Sequence, residues 1–126
     1  DRRENIRRIA EVCKLFTDTG IITLAAFVSP TSALRKLARE IVGKEHFFEI
    51  YISTPLEECE RRDVKGLYAK ARSGTIPKFT GITAPFEEPE HPELRLDTTH
   101  LSVEGCVRRI VRAIIPIISI DPKSCY

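Results

Sequence analysis

Six bases, Arg61, Arg62, Lys65, Lys70, Arg72 and Lys78, stand against a single acid, Asp63, in the stretch from Arg61 to Lys78. Most of them fall in "DVKGLYAKARSGTIPKFTGI", residues 63–82, which shows no steady apolar period and places the aromatic ring of Phe79 in its final "FTGI" turn. Arginine guanidinium forks onto phosphate oxygens or lies flat on a base, and lysine acts as a point charge. Phe79 would add a flat apolar surface for a purine, worth about 1–3 kcal/mol by analogy with base stacking in single-strand binders. Three uses of such a stretch compete: a solvated helical face, a nucleic-acid patch, or a mobile lid over a polyphosphate. A net charge of only +2 and few aromatics disfavour nucleic acid.

Other chemistry is thinly represented. Cys13, Cys59, Cys106 and Cys125 form no C-x-x-C pair and keep no close spacing to His46, His91 or His100, so no zinc site is expected. Reduced thiols in a reducing compartment fit this usage. "IVRAIIPIISI" is apolar but shorter than a membrane span, and no signal peptide is legible, so the expectation is a cytoplasmic protein without membrane contact.

The elements that must position these residues follow from periodicity. Ile6, Ile9, Cys13 and Phe16 recur at helical spacing, which predicts a helix over residues 1–18 stopped by Gly20. "IITLAAFVS" reads as a buried strand, and Thr31 or Ser32 as the cap of a second helix ending at Gly43. "HFFEIYIS" is a second strand. Thr54, Pro55 and Glu57 then have the pattern of a capping box opening a short helix to about Arg62. A brief helix over 67–73 precedes a loop punctuated by Pro77, Pro85, Pro89 and Pro92. "ELRLDT" is a third strand, and Ser102 caps a last helix closed by Pro116. The alternation predicts one α/β domain over residues 1–126, with a parallel sheet, flanking helices and a lid-like insert at about 61–92. In such folds ligands bind at the carboxyl ends of the strands, here Ser29-Pro30, Ser53-Thr54 and Asp97-Thr98.

The stretch followed by "APFEEPEHPELRLDT" resembles the lid and substrate loop of adenylyl-sulfate (APS) kinases, and "DRRENIRRIAEVCKLFTDTGIITLAAFVSP" resembles that family's "DRxxNIRR…FISP" block. The matches run in unbroken order over roughly residues 1–99. The resemblance implies transfer of the γ-phosphate of ATP, with Mg2+, to the 3′-hydroxyl of adenosine 5′-phosphosulfate, giving PAPS for sulfate assimilation. Arg2 and Asn5 match the "DRxxN" pair that holds APS, and three residues apart on a helix they share a face. Ser29 matches the serine of "FISP", labelled a phosphoserine in the family; direct in-line transfer needs no such intermediate, which makes it a ligand near the sulfate or phosphate of APS. Lys65 matches the lid lysine near the phosphosulfate, and Phe79 the phenylalanine that stacks on the APS adenine. Arg62 matches the "CExRD" arginine that packs against the ATP adenine, with Arg61 facing solvent. No metal ligand is carried over. The resemblance also implies a homodimer as the common assembly and leaves a fused or partner ATP sulfurylase open.

Two departures stand out. "SPTSALR" replaces the family's "SPYR" or "SPYxxDR" and keeps only Arg35, while Thr83 and Phe86 stand where acid and tyrosine are commoner. Nothing in the 126 residues fits G-x-x-x-x-G-K-[ST], whose amides and lysine cradle ATP phosphates and whose hydroxyl holds Mg2+. The family places that motif, its first strand and a "DGD" segment ahead of the "DRxxN" block, inside which this sequence begins. The chain therefore reads as the C-terminal two-thirds of a P-loop-kinase-like domain, with the N-terminal strand and P-loop missing. Alone, these residues are expected to bind ATP poorly, transfer no phosphate and fold marginally. A non-catalytic APS-kinase-like nucleotide-binding or regulatory domain is the alternative, and another nucleotide kinase of this fold a third reading. The tail from Pro116 to Tyr126 does not resemble the family's usual ending.

Overall fold

A computed structural model describes residues 1–118. They form two compact units: Asp1–Phe48 with Asp63–His91, and Glu49–Arg62 with the chain from Pro92 onward.

The first unit is built on helices α1 (Arg2–Asp18) and α2 (Ser32–Val42), which pack together. The Asp1 carboxylate caps α1 by accepting the Arg3 N–H at 2.9 Å. Glu4, in the first turn where negative charge suits the helix dipole, also takes Arg7 and Arg8 from the turns above. Ile6 and Ala10 are the buried residues of α1, and Leu34 and Val42 those of α2. The expected stripe is thus rotated: Phe16 lies half exposed, and Ala10 sits inside.

Helix α2 starts where expected but not by the expected device. Thr31 makes no side-chain cap. Glu87, from the distant proline-rich loop, accepts the Ser32 N–H at 2.7 Å, and its own N–H donates to the Pro30 carbonyl at 2.7 Å. A carboxylate at a helix N-terminus is favoured by the dipole, and this one also pins the loop to the helix. Gly43, at φ 101°, ends α2 in a conformation that L side chains rarely adopt.

The buried strand expected over Ile21–Ser29 is not formed. Residues 21–28 are exposed, with Leu24 82% accessible and Ile21, Ile22, Phe27 and Val28 each more than half exposed. A strand exists only when a ladder partner takes its N–H and C=O groups, and an apolar run without such a partner forms none however β-prone its residues.

The second unit holds strands β1 (Ile50–Ile52) and β2 (Leu94–Leu96), with helices α3 (Leu56–Arg62) and α5 (Val103–Ile118). The strands are parallel, in register Ile50 with Leu94, Tyr51 with Arg95 and Ile52 with Leu96, and the Ser53 N–H extends the ladder to the Leu96 carbonyl. Two of the three expected strands therefore pair as an α/β fold requires, and α5 packs on β2. Leu96, 1% accessible, is the most deeply buried side chain. The Ser102 hydroxyl caps α5 by accepting the Gly105 N–H at 3.1 Å, as expected.

Two further expectations are corrected here. Thr54 does not close a capping box; its hydroxyl is hydrogen-bonded to Thr98, and α3 opens instead on the Pro55 carbonyl, which accepts from Glu58 and Cys59. Pro116 does not end α5, which continues to Ile118. Its φ is compatible with a helix, and near the end only one hydrogen bond is lost. The rest of the tail, 119–126, lies outside the described residues, as does Cys125. Among the described residues no helix is long and apolar enough to cross a membrane.

Candidate functional site

In the first unit, helix α4 (Leu67–Arg72) carries Lys70 and Arg72 of the basic stretch. Asp63, the stretch's single acid, accepts the N–H groups of Tyr68 and Ala69 at 3.0 Å each. Hydrogen bonding from Ala69, then Tyr68 and Leu67, holds its carboxyl below the usual range. The turn closes when the Gly66 N–H reaches the Asp63 carbonyl at 2.8 Å, with Gly66 in the left-handed region at φ 63°. Val64 and Lys65 are left exposed at its tip. The turn thus presents Lys65 outward from a backbone fixed on both sides.

Phe79 anchors the second turn. Its N–H donates to the Thr83 hydroxyl at 2.8 Å, and its carbonyl accepts from Ile82, Thr83 and Ala84. Its ring meets Tyr68 of α4 edge-on, with centroids 5.0 Å apart and planes 69° inclined. Such pairs contribute about 0.5–1.5 kcal/mol beyond area burial. Thr83 therefore has a structural task in this chain, that of fixing the Phe79 backbone.

Arg2 reaches the same turn, its guanidinium donating to the Thr80 hydroxyl at 3.3 Å. The arginines of "DRRENIRR" are sorted by this: Arg7 and Arg8 are taken by Glu4, while Arg2 projects toward the Phe79 loop. Asn5 is exposed on α1, one turn along from Arg2. Ser29 is half-buried, and its carbonyl accepts from Arg35 at 2.9 Å. The Arg35 guanidinium also lies 5.8 Å from the Phe86 ring centroid, so the arginine that the sequence keeps meets one of its departures, Phe86. Arg2 and Phe79 are thereby joined through one loop, and Lys65 and Phe79 through α4 and Tyr68. Among the described residues, no hydrogen bond joins Asn5 or Ser29 to these three.

In the second unit, Arg62 closes α3 at the carboxyl ends of the parallel strands. Its Nε donates to Glu58 at 2.6 Å, and its terminal nitrogens donate to the hydroxyl and carbonyl of Thr98 at 2.8 and 2.9 Å. Thr98 is in turn bonded to Thr54 at 2.7 Å. Arg61, one residue earlier, makes a bidentate pair with the same Glu58, and its side chain is 72% exposed, facing solvent as expected. Hydrogen bonds from Arg61 and then Arg62 bring the Glu58 carboxyl down to about 2. Asp97 is held low as well, first by the Thr99 hydroxyl.

A family model for adenylylsulphate kinase matches residues 1–97. The chain belongs to the adenylyl-sulfate kinase family. It is 64% identical over 116 residues to the adenylyl-sulfate kinase of Bacteroides thetaiotaomicron, covering 92% of this chain and 58% of that protein. It is also 64% identical over 118 residues to that of Phocaeicola vulgatus, covering 94% and 58%. Among solved structures, the Mycobacterium tuberculosis APS kinase CysC in complex with AMPPNP and APS superposes with a TM-score of 0.84 at 42% identity, covering 90% of this chain and 66% of that one. The chain thus spans about 58% of the length of the curated relatives it matches.

Asp63, Tyr68, Thr83, Glu58 and Thr98 support the candidate residues; of these only Thr98, at the end of "ELRLDT", stood at a position where ligand binding was expected. Asp63 had a local signal, an acid just ahead of a helix start, as in N-capping. Glu58 had one too, at four and three residues before two arginines. Thr98 stood at an expected strand end, but its link to Arg62 had no local signal, because it spans 36 residues. Among the described residues no group of three or more His, Cys, Asp or Glu could hold a metal ion. No step is therefore assigned to Mg2+.

Proposed function

We propose that the protein carrying these residues is an ATP-dependent adenylyl-sulfate kinase, which transfers the γ-phosphate of ATP to the 3′-hydroxyl of APS to make PAPS. The observation that carries this reading is the family match over residues 1–97, reinforced by 64% identity to proteins named for that activity. Phosphoryl transfer asks a protein mainly for positioning and for charge placed around the phosphates. On this reading Phe79 stacks on the APS adenine, backed by Tyr68, while Arg2 and Asn5 hold the nucleotide from α1. Lys65, at the tip of the Asp63–Gly66 turn, sets a positive charge against the phosphosulfate. Ser29 offers a hydroxyl to the sulfate or phosphate as a ligand and carries no phosphoryl group. Arg62 packs against the ATP adenine. Free thiols at Cys13, Cys59 and Cys106 favour a cytoplasmic setting.

The test is turnover by the full-length protein offered MgATP with APS, AMP or other nucleoside monophosphates, read as 3′-phosphorylated product. APS-dependent product with little from AMP is expected. Absence of product with APS, while ATP still binds, would instead favour a regulatory nucleotide-binding domain; preference for AMP would favour another nucleotide kinase.

A further inference from the structure

Arg62 is held on more sides than a surface arginine needs. Three of its nitrogens are engaged: Nε by the Glu58 carboxylate, and the two terminal nitrogens by the hydroxyl and the backbone carbonyl of Thr98. These acceptors approach at the N–H edge of a planar group. Glu58 is itself held, 12% accessible and doubly bonded by Arg61. Thr98 is fixed through its hydroxyl and its N–H to the Thr54 hydroxyl, just past the ends of β2 and β1. The chain from both strand ends therefore converges on one guanidinium.

We infer that Glu58 and Thr98 are positioning residues that lock the plane of Arg62, turning it into a rigid platform for the purine base of ATP and so setting the enzyme's preference among nucleotide bases. This rests on the assignment of Arg62 to the ATP adenine. Hydrogen bonds take up the edge of the guanidinium, and stacking uses its face; the two do not compete. A guanidinium free to rotate loses its face-on geometry and contributes chiefly charge, which distinguishes bases poorly. A larger ring overlaps a fixed plane more than a smaller one, so locking favours a purine over a pyrimidine. Arg61, sharing Glu58 yet exposed, acts by orienting the carboxylate.

The experiment measures dissociation constants for ATP and CTP by calorimetry on the full-length protein, with turnover on APS recorded separately. Thr98→Val removes the hydroxyl acceptor, Thr98→Ser keeps it, and Glu58→Gln removes the carboxylate charge. Thr98→Val is expected to weaken ATP about fivefold or more, the loss of one hydrogen bond, and CTP by much less, so that the ATP-to-CTP ratio narrows. Thr98→Ser should keep the wild-type ratio, and Glu58→Gln should narrow it as Thr98→Val does. In an Arg62→Lys background, which has no plane to lock, Thr98→Val should have almost no further effect, as coupled residues require. An unchanged ratio in folded Thr98→Val and Glu58→Gln proteins would overturn the inference, as would a full Thr98→Val effect in the Arg62→Lys background. Because binding is read without turnover, lack of kinase activity would count against the proposed reaction alone.

Discussion

Replacing Phe79 by alanine removes a ring from a turn that does not depend on that ring for its backbone. The Phe79 N–H is held by Thr83, and its carbonyl by Ile82, Thr83 and Ala84, all through main-chain atoms of residue 79. The local fold should survive the change. Two things are lost instead. The edge contact with Tyr68 goes, worth about 0.5–1.5 kcal/mol. Any stacking on the APS adenine goes as well, about 1–3 kcal/mol. The second loss falls on the nucleotide, and at 1.4 kcal/mol per decade it raises the KM or Kd for APS about 5- to 150-fold. The first falls on the turn and should appear as a small drop in thermal stability. Tyr68→Ala separates the two, since it removes the same ring pair while leaving Phe79 in place. It should match the stability loss and raise the APS constant by much less. The assay is steady-state turnover of the full-length protein, titrated in APS at saturating MgATP and then in ATP at saturating APS. The expected result is a rise confined to APS, with the ATP constant unchanged. An unaltered APS constant in a folded Phe79→Ala protein would refute the stacking role, and equal losses for both substrates would show that the turn had collapsed.

Two further outcomes are expected. Leu96→Ala, at the most buried side chain and inside the parallel ladder, should destabilise the protein by about 2–5 kcal/mol, seen as an earlier urea midpoint; a shift under about 0.5 kcal/mol, the ordinary surface range, would mean that β2 is not core. Glu4 and Glu58 are held at about 2 by their arginines, against an ordinary 4.5. Because both folded values are depressed, their stabilisation is fully present above about pH 4.5 and is lost as pH falls toward 2. The stability gap between wild type and a Glu4→Gln/Glu58→Gln variant should therefore be constant from pH 7 to 5 and close below 4.5; a gap that widens on acidification would contradict the ion pairs.

Much of the fold was legible because it is local. Gly20 stops α1, Gly43 ends α2, Ser102 caps α5, and "ELRLDT" supplies β2. These signals act within a turn or two, where sequence spacing is spatial spacing. The miss at Ile21–Ser29 has the opposite cause. β-branched residues make a segment fit for a sheet, but a strand is completed only by a neighbour's backbone, and none pairs with it here. Thr54 shows the same limit on a smaller scale: its capping pattern was correct as a pattern, and Thr98, 44 residues away, took the hydroxyl.

The candidate site divides along the same line. Its residue types were set by the sequence alone, since only a particular order of cations around Phe79, with "DRxxN" and "CExRD" at their distances, carries the family's pattern. What those residues lean on was decided by tertiary structure. Arg2 was separated from Arg7 and Arg8 by the reach to Thr80, Phe79 was braced by Tyr68, and Arg62 was fixed by Thr98. The links from Arg2 to Thr80 and from Arg62 to Thr98 join residues dozens of positions apart, and chain spacing carries no information about which side chains a fold will bring within hydrogen-bonding reach of one another. Identity is written locally, whereas orientation depends on the whole chain having closed.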